Sequence, residues 1–205
     1  MKMKEIIVEN LKYVFTARPG KVALCDRVSF TEEEVVIPDY IYYDNKKYRV
    51  VGITEGAFSN SYINKITLPN TLEYISDYAF MSCDYLLQIY LPNNITYIGE
   101  GAFFGCQYLK KVHLPDNLKR LQKRCFAHCY ELQGIELPNG LEVIEEGVFD
   151  SCFKLKELYI PETVEFMFFP ECVETVYVPY GKKHIFEELL KAEGLDEKIK
   201  IISIT

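Results

Sequence analysis

A dipeptide that returns every 23 residues constrains this chain more than any other feature. Leu68-Pro69, Leu91-Pro92, Leu114-Pro115, Leu137-Pro138 and Ile160-Pro161 keep that spacing four times in succession. A mixed globular core has no need of such regularity, whereas periods of roughly 20–50 residues mark stacked repeat units. Other positions hold the same count. Phe80, Phe103, Phe126 and Phe149 are in phase, as are Cys83, Cys106, Cys129 and Cys152, and Leu86, Leu109, Leu132 and Leu155.

The spacing within one period assigns a shape to each part. Triplets such as Ile89-Tyr90-Leu91 alternate with period two, which suits a short strand with one buried face. Proline cannot donate to a continuing ladder, so Leu-Pro closes the strand. A second limb follows, with apolar pairs three apart: Leu72/Ile75, Ile95/Ile98, Leu118/Leu121, Leu141/Ile144 and Val164/Met167. The Ala-Phe-x-x-Cys-x-x-Leu stretch then predicts one or two helical turns lying over the core. No single coil can bury its apolar side alone, so the coils must stack.

Leu-x-x-Ile-x-Leu-Pro, followed by Ile98-Gly-Glu-Gly-Ala-Phe-Phe-Gly-Cys106, resembles the BspA-like leucine-rich repeats. The resemblance spans residues 51–179 and implies an α/β solenoid: a curved, right-handed leucine-rich-repeat coil with a parallel β-sheet on one face. It also implies protein interaction or adhesion, often at a bacterial cell surface, and neither enzymatic activity nor a cofactor. Residues 1–50 read as an antiparallel β cap, with strands at 5–8 and 11–16, a turn at Arg18–Lys21, a return at 22–25, and a hairpin from Ile41 to Val51. Residues 180–205 read as a closing helix, Lys182–Glu193, ended by Gly194, and a last strand, Lys198–Ile204. The whole is expected to be one domain with two caps.

The register breaks at both ends. In the first coil Ile63 takes the Leu position and Asn60 the Cys position, with one residue lost between Phe58 and Asn60. At the far end Pro161 to Pro179 spans only 18 residues, and Phe168-Phe169-Pro170 replaces Ala-Phe-x-x-Cys. Atypical terminal repeats act as caps.

Composition narrows the function classes. An apolar fraction of 49% is ample for a core. A net charge of −7 disfavours a nucleic-acid partner, which calls for a basic stripe; Lys119-Arg120 with Lys123-Arg124 reads as a solvated local patch. No run approaches the ~18 apolar residues of a membrane span. The opening residues, Met1 to Asn10, lack the apolar core of a secretion signal. Location therefore stays open between a cytoplasmic protein and a secreted or cell-surface one whose signal has been removed.

Seven cysteines invite chemistry, but four sit on the 23-residue ladder between buried Phe and Leu positions and read, with Asn60, as a structural ladder. Cys25, Cys125 and Cys172 read as lying off it, with their redox state open. Cys125-Phe-Ala-His128-Cys129 does not converge in this register, so no metal site is expected. His113 and His184 have no evident carboxylate partner, and no catalytic set emerges.

One row stands out. The residue before each strand's last apolar position should face outward: Thr67, Tyr90, His113, Glu136, Tyr159 and Tyr177. Two residues earlier come Lys65, Gln88, Lys111, Gly134, Glu157 and Thr175. Tyr and His are amphipathic and lose little entropy when ordered, which suits a contact strip for a protein partner or for a glycan. A plain structural alternative is that Tyr stacks along a ladder for its strand propensity alone.

Overall fold

The computed structural model describes residues 5–28 and 33–204, so Met1–Lys4 of the opening segment lie outside the described residues. Local chemistry sets the start of the fold. The strands β1 (Glu5–Val8) and β2 (Leu11–Phe15) are joined through Glu9 and Asn10, both at positive φ. This is the turn that matches the twist of a two-residue hairpin. Asp44 and Asn45 do the same further on. β2 pairs antiparallel with β3 (Lys21–Arg27). Then come β4 (Glu34–Val36) and the hairpin of β5 (Tyr40–Tyr43) and β6 (Lys46–Ile53).

The N-terminal segment is not wholly antiparallel. β3 runs parallel to β6, and β4 runs parallel to β7 (Lys65–Thr67) with Val35 opposite Ile66. The stack thus begins at β4: Val35-Val36-Ile37-Pro38 is the strand-and-proline of a preceding coil, and the β5–β6 hairpin is inserted into that coil.

Each later coil supplies two strands. On the second limb of the first coil lies β8 (Tyr74–Ile75). The next coils contribute β9 (Gln88–Tyr90) with β10 (Tyr97–Ile98), β11 (Lys111–His113) with β12 (Arg120–Leu121), and β13 (Gly134–Glu136) with β14 (Val143–Ile144). The last are β15 (Glu157–Tyr159) with β16 (Phe166–Met167), and then β17 (Thr175–Pro179). All these strands pair in parallel, each residue facing its counterpart one coil away. After each proline a turn closes onto its carbonyl, as in Ile95 N–H to Pro92 O at 3.0 Å.

The two rows of strands are interrupted at different places. Ladder pairing on the first row breaks between β7 and β9 and between β13 and β15; on the second row it breaks between β10 and β12. Wherever one row is broken, the other is paired across the same two coils.

The Ala-Phe-x-x-Cys limb is not helical. Cys106 N–H reaches Phe103 O at 3.2 Å, a tight-turn bond, while alternate N–H groups leave the coil altogether. Gly101, Phe103 and Gly105 donate to Lys123, Cys125 and Ala127 of the next coil, and Arg124, Phe126 and His128 donate to Glu146, Val148 and Asp150. A helix would spend those donors within its own chain. Two left-handed residues per coil, such as Arg124 and His128, aim them across instead.

Beneath this limb the phenylalanines Phe58, Phe80, Phe103, Phe126 and Phe149 form one column, with successive centroids 5.2, 5.2, 5.3 and 6.1 Å apart. A single apolar cluster runs from Ile6 through this column to Ile201. It closes on α1 (Lys183–Ala192), which buries Phe186 and Leu190, and on β18 (Lys200–Ile204), paired parallel to β17. Gly194, at φ +69, ends the helix: Leu195 N–H bonds Leu190 O and Gly194 N–H bonds Lys191 O. That is the paired closure a left-handed glycine permits.

Candidate functional site

The cysteine ladder is a structural feature with one regular contact. Cys83, Cys106, Cys129 and Cys152 donate S–H to the carbonyls of Phe58, Phe80, Phe103 and Phe126 at 3.1–3.2 Å. Cys172 donates to Phe149 O at 3.4 Å and is thus the last rung, although the shortened coil takes it out of the 23-residue count. Asn60 is not a rung. It is exposed, at φ +56, and its N–H crosses to Met81 O as that of Ser82 crosses to Phe104 O. Ser61 holds the buried place, with its N–H on Phe58 O just as Cys83 N–H is on Phe80 O. The missing residue therefore falls between Ser61 and Ile63. A one-residue gap can be slid along the sequence without penalty; only the destinations of the backbone donors fix it.

All seven thiols are free. Burial pushes those of Cys106, Cys125, Cys129 and Cys152 well above the usual thiol range, which suppresses the thiolate needed for nucleophilic or ligand chemistry. Cys25, half-buried, is raised to about 11, chiefly by desolvation. His128 meets Phe104 and Tyr130 edge-on rather than a thiol. Among the described residues no group of three or more His, Cys, Asp and Glu is placed to hold a metal. No helix there is long and apolar enough to cross a membrane.

The outward rows sit on β7, β9, β11, β13, β15 and β17 because each strand's middle residue (Ile66, Ile89, Val112, Ile135, Leu158, Val176) is turned into the core. Thr67, Tyr90, Glu136 and Tyr159 are exposed; His113 and Tyr177 are half-buried. Lys65, Gln88, Lys111 and Glu157 are exposed beside them. The parallel register brings the aromatic members together in two pairs: Tyr90 on His113 at 4.2 Å and Tyr159 on Tyr177 at 4.3 Å, both 8° from coplanar. Tyr177 Oη donates to Glu157 Oε1 at 3.3 Å, and its hydroxyl is raised above the usual tyrosine range, first by desolvation and then by that carboxylate's charge. His113 Nε2 is buried and has no hydrogen-bond partner.

Between the two pairs lies a depression of about 520 Å³, lined by Lys110, Lys111, Val112, Gly134, Ile135, Glu136, Glu157 and Tyr159. It exists because Gly134 has no side chain where its neighbours in the row carry Lys111 and Glu157, and because the ladder is broken there, between β13 and β15.

A second aromatic line, not singled out in the outward rows, runs along the flank after the cysteine rungs. Tyr62, Tyr85, Tyr108 and Phe153 are more than half exposed. Tyr62 lies 5.8 Å from Tyr85, and Tyr130 stacks on Phe153 at 5.4 Å. The 23-residue count finds its first half, since Tyr62, Tyr85 and Tyr108 keep it; Tyr130 and Phe153 sit one position earlier in their coils.

The repeat model that matches is the BspA-type leucine-rich repeat region, in six copies over residues 51–173. The chain belongs to this family. Membership implies a protein-interaction or surface-associated role. The crystal structure of a leucine-rich repeat protein from T. pallidum is 26% identical, covers 85% of this chain and 71% of its own, and superposes with a TM-score of 0.55. One from Eubacterium ventriosum is 22% identical, covers 85% of this chain and 42% of its own, and gives 0.61, a likeness of fold. No curated protein sequence matches the chain.

Proposed function

We propose that this BspA-type repeat protein is a non-enzymatic interaction module that grips a protein partner with the outward face of its first strand row. The observation that carries the reading is the pair of pre-stacked, solvent-facing aromatic couples, Tyr90/His113 and Tyr159/Tyr177, set on either side of a depression. Aromatic groups already held in one geometry lose little freedom on binding. The depression between them is lined by Lys110, Lys111, Glu136 and Glu157, charged groups that favour a protein over a neutral sugar as the partner.

The test is a binding comparison. Replacing Tyr90, Tyr159 and Tyr177 together with Ser should leave circular dichroism and the unfolding midpoint near those of the parent while abolishing capture of the protein partner. Undiminished capture, or retention on a glycan array with no protein retained, would move the site elsewhere.

A further inference from the structure

We propose that the depression at Gly134 is a receptor for an arginine side chain of the partner, with an acidic partner residue beside it; this rests on the reading that the strand-row face binds protein. Three observations converge. First, the space is real: a Cβ built on Gly134 would meet nothing within 4 Å, and the flanking ladder is open between β13 and β15. Second, its walls carry opposite charge. Lys110 and Lys111 lie on the β11 side, Glu157 on the β15 side and Glu136 on β13 between them, and among the described residues neither Lys110, Lys111 nor Glu136 is engaged in an ion pair. Several exposed charges elsewhere on the coils do find partners, as Lys119 finds Glu142 at 2.9 Å and Lys156 finds Glu174 at 2.8 Å. Third, Tyr159 lines the depression on the acidic side, and Tyr177, stacked on it, donates to Glu157 and fixes that carboxylate.

The Tyr159 ring decides the sign of the occupant. An aromatic face carries negative electrostatic potential, so it attracts a cation and repels a carboxylate. Guanidinium also fits better than ammonium. Its planar fork can stack on the ring while its N–H groups reach carboxylates in its own plane, and its methylene stem can lie in the space left open at Gly134. Lys110 and Lys111 then face whatever lies next to that arginine, which selects a partner segment with an Asp or Glu neighbour.

The probe is N-acetyl-arginine amide, titrated into the full chain and followed by amide NMR signals. The expected result is saturable movement of the Gly134, Glu136 and Tyr159 signals, with N-acetyl-norleucine amide producing none. Glu136→Gln should weaken the response about tenfold, the scale of one hydrogen bond to a charged group. Gly134→Gln, which places the Gln88 side-chain type into the gap, should abolish it with the fold intact. No movement with the arginine amide, equal movement with the norleucine amide, or a response that survives Gly134→Gln would each overturn the proposal. Partner capture separates the two readings. Loss on Tyr90→Ser but not on Gly134→Gln keeps the face and removes the arginine receptor. An arginine response in a protein whose capture survives the triple Tyr→Ser change removes the face as the docking surface.

Discussion

Phe103 shows how much one side chain carries when its place is repeated. It is fully buried and has Phe80 stacked on one face and Phe126 on the other, at 5.2 and 5.3 Å. Phe103→Ala leaves a cavity between two coils and should lower stability by about 3–5 kcal/mol, read as a urea midpoint. The thiol rungs give a pH signature. The folded values of Cys106, Cys129 and Cys152 lie above the ordinary value of 9.0, so above that pH the unfolded chain has lost protons that the folded chain still holds. The contribution of these three thiols is intact below pH 9 and falls as pH rises beyond it, by up to about 1.4 kcal/mol for each of them per pH unit. Urea midpoints at pH 8 and pH 10 should differ less in a Cys106→Ala/Cys129→Ala variant than in the parent. Four rungs were legible in the sequence because Cys83, Cys106, Cys129 and Cys152 share a phase with Phe and Leu. The end rungs were not. Ser61 sits beside a gap that slides freely, and Cys172 follows a coil whose length has changed.

At the scale of elements, the strands were readable and the turn limb was not. Ile89-Tyr90-Leu91 has one local reading, since alternation and the following Pro92 act on the segment itself. Apolar residues three apart suit a helical turn and a chain of tight turns equally well. What separates them is where Phe103 and Gly105 send their N–H groups, and those acceptors belong to another coil. Val35-Val36-Ile37-Pro38 resembles the strand-ending Leu-Pro of the repeats, but the hairpin that stretches the interval between Pro38 and Pro69 kept that segment's parallel pairing with β7 out of the 23-residue count. Two glycines sharpen the element view. A Cβ on Gly99 would lie 2.4 Å from Asp77 N and 2.6 Å from Ser76 C, both backbone atoms, whereas one on Gly134 would touch nothing. Gly99→Ala should therefore cost about 1–3 kcal/mol through forced backbone movement, and Gly134→Ala close to nothing. Thermal unfolding of the two variants side by side checks this.

For the whole molecule the 23-residue period acts as a unit of length. Each coil contacts only its neighbours, so removing one full period should rejoin matching surfaces. Deleting residues 92–114 brings Leu91 to Pro115 and should give a shorter chain that still unfolds cooperatively; deleting 20 residues from the same point should not. The outward rows were legible in position, because Tyr90, His113, Tyr159 and Tyr177 follow from the strand register, but the depression depends on a broken ladder that no local pattern announces. Those breaks are also offset between the two strand rows. Where β13 parts from β15, β14 holds β16; where β10 parts from β12, β9 holds β11; where β7 parts from β9, β8 holds β10. The coils are laid like bricks with staggered joints. A pull along the stack meets no course that is open on both sides, so the gap beside Gly134, proposed above as a receptor, is not a place where the wall can be split.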